Sequence, residues 1–322
     1  MRAAQVVRLE GPPGVDVVDV PHPKPSDGQV LVDAHAVGVS FPDLLLSAGE
    51  YQLKPEVPFT LGVDFAGRVR EAPPGSGFTV GDRVAGVLPY GGWSDVVAVG
   101  ADSLFPLPEN VSFPQGAALP MNYLTAQFAL ATRGHVEKGE TVLVHGAAGG
   151  VGTACIQVAK GYGARVIGVV STEEKGEFAR AAGADEVVLL DGFLKQVKAL
   201  TDGSGVDIVV DVVGGDVMTD SLRTLSTLGR VLVVGFAAGG IPQVKVNRLL
   251  LNNVDIRGVG WGAYTMVRPG YLRRQWEELV PMMESGTVNP PIGSTYPFED
   301  VRLALTDMAE RRTLGKSVLV LR

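Results

Sequence analysis

The sequence predicts an α/β protein of two domains: a β-rich domain to which the chain returns at its end, and a six-stranded parallel sheet covered by helices. Three observations carry this. The 322 residues exceed what one core of roughly 150 residues per domain accommodates. The rhythm of apolar runs changes at Thr141 from short strands and turns to strand, helix, strand. At the change lies a turn crowded with small residues, "VHGAAGGVG" (144–152).

Residues 1–122 are rich in Val, Gly and Pro, with strand-like runs such as "QVLVDAHAVGV" (29–39) and "DFAGRVREA" (64–72) set between turn clusters. The stretch "FTVGDRVAGVL" (78–88) reads as a strand pair around a Gly-Asp turn. From Thr141 six strands are expected: "TVLVHG", "RVIGVVS" (165–171), "EVVLL" (186–190), "VDIVVDVV" (206–213), "RVLVVGF" (230–236) and "DIRGVGW" (255–261). Their β-branched runs alternate with helices at 151–160, 173–183, near 193–201 and near 216–227, the pattern of a parallel sheet buried on both faces. Helices near 271–285 and 298–311 and the strand "KSVLVLR" close the chain, with the Pro-Gly turn at 269–270 as the point of return to the first domain. The domain boundaries expected are therefore 1–122 with 266–322, and 123–265.

Composition excludes several functions. With 46% hydrophobic and 20% charged residues the chain can build cores. Its net charge of -7 repels polyanions, so neither nucleic acid nor an anionic membrane is an expected partner. The uncharged stretch Thr141–Ala159 approaches a membrane span in length, but its glycines, His145 and Gln157 fit a buried strand, turn and helix. A single cysteine, Cys155, permits no internal disulfide and no cysteine-based zinc site, and the opening "MRAAQVVRLE" is interrupted by Arg8 and Glu10 where a signal peptide needs an apolar core. A cytoplasmic protein is expected.

In "HGAAGGVG", Ala147, Gly149 and Gly152 hold the three positions of a G-x-G-x-x-G pattern. Without a Cβ, Gly149 lets backbone approach a pyrophosphate and Gly152 lets the helix pack on the strand; Ala148, Gly149, Gly150, Val151 and Gly152 would cradle the phosphates at the helix N-terminus. The second strand ends at Ser171, where an acid would hold a ribose 2′-hydroxyl. Ser171, Thr172 and Lys175 stand there instead, and hydroxyls with an ammonium suit a 2′-phosphate, which favours NADPH over NADH. The competing reading has Glu173 and Glu174 open a solvated helix and pair with Lys175.

The stretches "GVSFPDLLLSAGEYQLKPEVPFTLGVDFAG" (38–67), "VGDRV" (80–84), "LTAQFAL" (124–130), "VHGAAGGVG", "STEEK" (171–175), "VGFAAGGIP" (234–242) and "RRTLGKSVL" (311–319) span almost the whole chain. In them the sequence resembles the zinc-free quinone oxidoreductase, or zeta-crystallin-like, branch of the medium-chain dehydrogenase/reductase superfamily. The resemblance implies a GroES-like β-barrel domain made of both chain ends, a Rossmann domain inserted between them and an active site in the cleft. At the places where zinc members carry Cys and a His-Glu pair stand Ser40 and Val63-Asp64, so no metal is expected. His22, His35, His135 and His145 show no paired ligand spacing and read as surface or packing residues.

The same resemblance implies the site residues. Tyr51 would face the acceptor as a hydrogen-bond or proton donor, or else anchor a loop before Pro55. Ser40, where relatives often carry asparagine, and Thr125 would lie near the nicotinamide; Thr125 could instead cap a helix start. Phe236 and Ala237 follow a strand and would line the nicotinamide side, although packing alone would explain Phe236. Arg311 and Lys316 match a terminal motif that contacts cofactor in relatives, or mark a charged helix end. Leu45 and Leu190 replace tyrosines of some relatives, and Asp64 is read as a loop-fixing residue. Trp261 sits just past a strand that pairs subunits in the family, which implies a homodimer. Three functions follow as expectations: NADPH-dependent reduction of a quinone, NADPH-dependent reduction of an enoyl or alkenone double bond, or NADPH binding without turnover.

Overall fold

The computed structural model describes residues Met1–Arg322. Strands in chain order are β1 (Arg2–Val6), β2 (Val15–Asp19), β3 (Gln29–Val39), β4 (Phe59–Thr60), β5 (Asp64–Glu71), β6 (Arg83–Val87), β7 (Val96–Gly100), β8 (Leu104–Pro106), β9 (Thr141–His145), β10 (Arg165–Val170), β11 (Glu186–Leu189), β12 (Val206–Asp211), β13 (Leu225–Val233), β14 (Asp255–Gly258), β15 (Ile292–Pro297) and β16 (Lys316–Val320). Helices are α1 (Phe41–Ser47), α2 (Phe113–Ala118), α3 (Pro120–Gln127), α4 (Gly150–Gly161), α5 (Glu173–Ala181), α6 (Phe193–Leu200), α7 (Val217–Thr224), α8 (Asn247–Asn252), α9 (Trp261–Thr265), α10 (Tyr271–Glu284) and α11 (Val301–Ala309). The chain divides into two compact units. One comprises Met1–Asn122, Pro269–Glu284 and Asn289–Arg322; the other comprises Tyr123–Arg268 and Ser285–Val288.

In the first unit the strands form a seven-stranded sheet, β15-β16-β3-β5-β6-β8 with β7 also on β3, and a separate three-stranded sheet, β2-β1-β4. These sheets are the GroES-like β-domain that the sequence leads one to expect, although the strand pairings do not run round into one continuous ladder. Two-residue β4 and three-residue β8 offer too few hydrogen bonds to carry a ladder around. Apolar residues of both sheets and of α11, among them Val6, Val32, Phe65, Leu305 and Leu319, fill the core together with Trp93 and Phe298 from the connecting segments. The stretch 78–88 holds one strand and not two: Thr79 donates from its amide and hydroxyl to the Asp82 carboxylate, at 2.8 and 2.9 Å, and Gly81 takes φ 93°. That side-chain-closed turn competes with a ladder for residues 78–82.

The second unit is the six-stranded parallel sheet, in the order β11-β10-β9-β12-β13-β14. The central strands β9, β10 and β12 are buried on both faces, as their unbroken apolar runs require. The helix expected near 216–227 stops at Thr224, and β13 begins at once with Leu225 opposite Val206. The register then jumps to Arg230 opposite Ile208, and Leu228, at φ 67°, lies in the looped-out residues. Arg230 re-enters the interior because its guanidinium is satisfied there by Gly134 O, His135 O and both oxygens of Glu140.

Candidate functional site

The glycine turn answers the question its composition raises. β9 ends at His145, Gly146 takes φ 63°, and the Gly149 amide closes the turn on Gly146 O at 2.9 Å. A Cβ placed on Gly152 would lie 2.1 Å from Gly146 O and 2.9 Å from Ala147 Cα, so Gly152 serves the packing of α4 on β9. A Cβ on Gly149 would meet only Gly146 O, at an ordinary 3.4 Å. Packing therefore does not demand glycine at 149, and the surface there is open backbone. The α4 ladder closes at Thr153, whose amide bonds Gly149 O at 2.9 Å; the amides of Gly150, Val151 and Gly152 precede it, at the positive end of the helix dipole.

The neighbouring strand supplies the second part of the rim. β10 lies beside β9 and ends before Ser171. Thr172 caps α5 through its hydroxyl, which accepts the Lys175 amide at 3.3 Å, and Lys175 Nζ donates to Ser171 Oγ at 3.3 Å. The structure thus brings Ser171, Thr172 and Lys175 into one corner. Lys175 joins none of the ion pairs, so the reading in which it pairs with Glu173 or Glu174 fails. Beyond β13, Phe236 is 39% exposed, and the loop it opens is held by the Ala237 amide on Val212 O at 3.1 Å. Thr125 lies inside α3, 8% exposed, and so is not a helix-start cap.

The first unit holds a different cluster. Lys316 is 4% and Asp64 0% exposed, yet Lys316 Nζ donates to Asp64 Oδ2 at 2.6 Å and to Ser40 Oγ, while the Ser40 hydroxyl donates to Asp64 Oδ2 at 2.8 Å. Strand register builds this: Gly38 on β3 faces Val318 on β16 and Asp64 on β5, so Lys316, Ser40 and Asp64 converge at one strand end. A Cβ on Gly38 would sit 2.7 Å from Lys316 Cε, so that glycine clears the path of the lysine stem. Asp64 Oδ1 also accepts the Met121 amide at 2.7 Å, in keeping with a loop-fixing role. The structure commits Ser40 and Lys316 to this interior network, with the Ser40 hydroxyl used as both donor and acceptor, whereas Arg311 of the same terminal motif is exposed. Asp64 was legible as a hydrogen-bonding residue; its ion pair with Lys316, 252 residues away, had no sequence signal.

Asp43, on α1, completes the cluster by accepting the Ser40 amide at 2.9 Å and the Gly62 amide at 3.2 Å. Burial, reinforced by the nearby Asp64 charge and opposed by the amide bonds and Lys316, pushes its carboxyl up to about 8. A folded-state value above the unfolded ~3.9 means that the folded chain holds this proton more tightly. Its stabilising contribution is whole below about pH 4 and is lost as pH rises through about 8. Denaturation midpoints are expected to fall from pH 6 to pH 9, and to fall less in Asp43→Asn; parallel curves for the two proteins would show that Asp43 is ionised throughout. Tyr51 packs on the same core, and burial first and the Asp43 charge second hold its phenol above the ordinary range. It stays protonated at neutral pH, able to donate a hydrogen bond and poorly able to give up the proton.

A six-stranded parallel sheet with a glycine turn at the point where its strand order reverses is the architecture of dinucleotide-binding α/β proteins. Residues 26–109 match the family described as alcohol dehydrogenase GroES-like domain, and residues 150–285 match zinc-binding dehydrogenase. The chain is 38% identical to quinone oxidoreductase-like protein 2 of Rattus norvegicus, over 100% of this chain and 92% of that protein. It is similar to the crystal structure of a probable oxidoreductase from Mycobacterium abscessus, at 44% identity and TM-score 0.92 over 100% and 99% of the two chains. The Escherichia coli quinone oxidoreductase complexed with NADPH superposes with TM-score 0.90 at 28% identity, over 100% of both chains. The protein belongs to the zinc-free quinone oxidoreductase branch of the medium-chain dehydrogenase/reductase superfamily, and is an oxidoreductase of that class.

The zinc named by the family description does not fit this chain. At the matching positions the side chains are a serine hydroxyl already hydrogen-bonded on both sides, a valine, and a carboxylate paired with an ammonium. A cation between Ser40 and Asp64 would face the Lys316 charge, and neither serine nor valine is a usual zinc ligand. No three His, Cys, Asp or Glu side chains gather as a ligand set. No helix is long and apolar enough to cross a membrane.

Proposed function

We propose that this oxidoreductase transfers hydride from NADPH to a quinone without zinc. The observation that carries the reading is the pairing of two features on adjacent strands: unladdered amides behind an open Gly149, and the Ser171–Thr172–Lys175 corner. The first fits a diphosphate, the second fits the extra phosphate of NADPH, and the complex of the Escherichia coli relative with NADPH supports both. When bound, NADPH supplies the hydride. The chain's own residues bind and orient. Amides 150–152 hold the diphosphate, Ser171 and Lys175 neutralise the 2′-phosphate, and Phe236 and Ala237 border the nicotinamide side. Tyr51 donates a hydrogen bond to the acceptor oxygen. A quinone spreads the arriving charge over a conjugated system, so it needs no Lewis acid of the kind that a simple carbonyl requires.

Loss of NADPH absorbance against paired quinones and 2-enals tests the reading. Turnover with quinones supports it, preference for enals would replace the acceptor, and silence with every acceptor would defeat it. The specificity corner has its own test. Ser171→Asp is expected to weaken NADPH binding at least about tenfold, roughly 1.4 kcal/mol, and to leave NADH unaffected or improved. Equal losses for both nucleotides, measured by calorimetry, would remove the 2′-phosphate from this corner.

We also infer that a second copy of the chain covers the outer edge of β14. β14 ends the sheet, and Leu228, Leu250, Leu251, Met266 and Val267 stand exposed in the segments around it. An unpaired strand edge with exposed apolar residues is stabilised by pairing. Sedimentation at twice the chain mass is expected; a monomer at micromolar concentration would contradict it.

A further inference from the structure

We propose that the hydrogen bond between Tyr123 and Gln157 is a positioning pair that sets the face of α3 and so presents the Thr125 hydroxyl to the nicotinamide of NADPH. The inference rests on the NADPH reading for the identity of the ligand.

Thr125 gives the first observation. Its side chain is more than nine-tenths buried, at 8% exposure, and its hydroxyl makes no hydrogen bond within the protein. A threonine inside a helix can spend that group on the carbonyl one turn back, as Thr153 and Thr201 do here. A buried hydroxyl left unmatched is costly, so it is a group that a ligand can complete. It can both give and accept a bond, which matches the carboxamide of a nicotinamide.

The second observation is a break in the helix. After α3 the chain runs on as a π-turn over Phe128–Gly134, beyond which the His135 amide reaches Leu130 O as well as Ala131 O. Such a turn takes in about one extra residue, which shifts the phase of a helix by about 100°. The far end of the π-turn is fixed to the sheet: Gly134 O accepts from Arg230 Nε at 2.7 Å, and a Cβ on Gly134 would stand 3.1 Å from Leu232 Cδ1. That anchor lies across the change of phase from Thr125, so α3 needs one of its own.

Tyr123 supplies it. The residue is 1% exposed and its hydroxyl donates to Gln157 Oε1 at 2.7 Å, with Gln157 itself 7% exposed on α4. Burial first and Cys155 second hold the phenol well above its ordinary range, so the donor keeps its proton. Residues two apart on a helix point about 200° apart. Holding Tyr123 against α4 therefore turns Thr125 to the opposite side of α3. Gln157 stands two turns beyond Gly150, on the helix whose first amides, 150–152, are proposed to meet the diphosphate, so the pair relates the Thr125 hydroxyl to that cradle.

Calorimetry on the full-length protein with two probes tests the pair: NADPH, and 2′-phospho-ADP-ribose, the same dinucleotide without its nicotinamide. Tyr123→Phe removes the hydroxyl and keeps the ring. It is expected to weaken NADPH binding at least about fivefold, the scale of one buried hydrogen bond, and to leave the fragment within about twofold of wild type. Thr125→Val is expected to show the same pattern, and the double variant to lose no more than Thr125→Val alone, because one residue acts through the other. Gln157→Met reads the same bond from the acceptor side and serves if Tyr123→Phe does not fold. Equal losses for the two probes would make the bond a tie between helices only and overturn the proposal, as would additive losses in the double variant. Wild-type protein that bound neither probe would defeat the NADPH reading, and this inference with it.

Discussion

Lys316→Met will lower the unfolding free energy of the protein by about 3–5 kcal/mol, the cost of leaving a buried charge without its partner. Asp64 is wholly buried and keeps only the Ser40 hydroxyl and the Met121 amide once the ammonium is gone. Methionine matches the lysine stem in length, so the loss reads the charge and not a cavity. The double variant Lys316→Met with Asp64→Asn is expected to recover part of the loss, because the orphaned charge is then removed as well. Denaturant titration of the three proteins measures it. A loss below about 1 kcal/mol in the single variant would mean that Asp64 picks up a proton or water at little cost, and that the cluster contributes little to stability.

Gly152→Ala and Gly149→Ala will separate fold from ligand. At 152 the new methyl would sit 2.1 Å from a backbone oxygen, so strand or helix must move, and a loss of at least about 3 kcal/mol is expected, the upper end for overpacking. At 149 the methyl finds 3.4 Å of clearance. The melting temperature is expected to stay within a few degrees of wild type, while NADPH affinity falls at least about tenfold because the methyl occupies the space of close backbone approach. The measurements are thermal unfolding without cofactor and calorimetry with it. Wild-type affinity in Gly149→Ala would place the diphosphate elsewhere and reduce this turn to a packing device.

Much of the second unit was legible in the chain because its signals are local. Runs such as "RVIGVV" and "VDIVVD" are β-branched over a strand's length, and both became strands of the parallel sheet. The corner at Ser171, Thr172 and Lys175 lies within five consecutive residues, so helix capping alone assembles it. Stretches where side chains compete with the backbone were less legible. The Asp82 turn displaced a strand at 78–82, and the bulge at Leu228 moved the start of β13 to Leu225.

The sequence by itself determined the parallel sheet, the glycine turn and the corner of Ser171, Thr172 and Lys175, because each depends on periodicity or on neighbours within one turn of chain. Only the tertiary structure decided that Lys316 belongs to a buried ion pair with Asp64, that Thr125 lies inside a helix, and that the His145 ring meets the Ser221 hydroxyl. The two contacts join residues 76 and 252 positions apart. A lone lysine near a chain end or a histidine at a strand end carries no local mark of its partner; strand register supplies the partner, and burial then determines which protons stay.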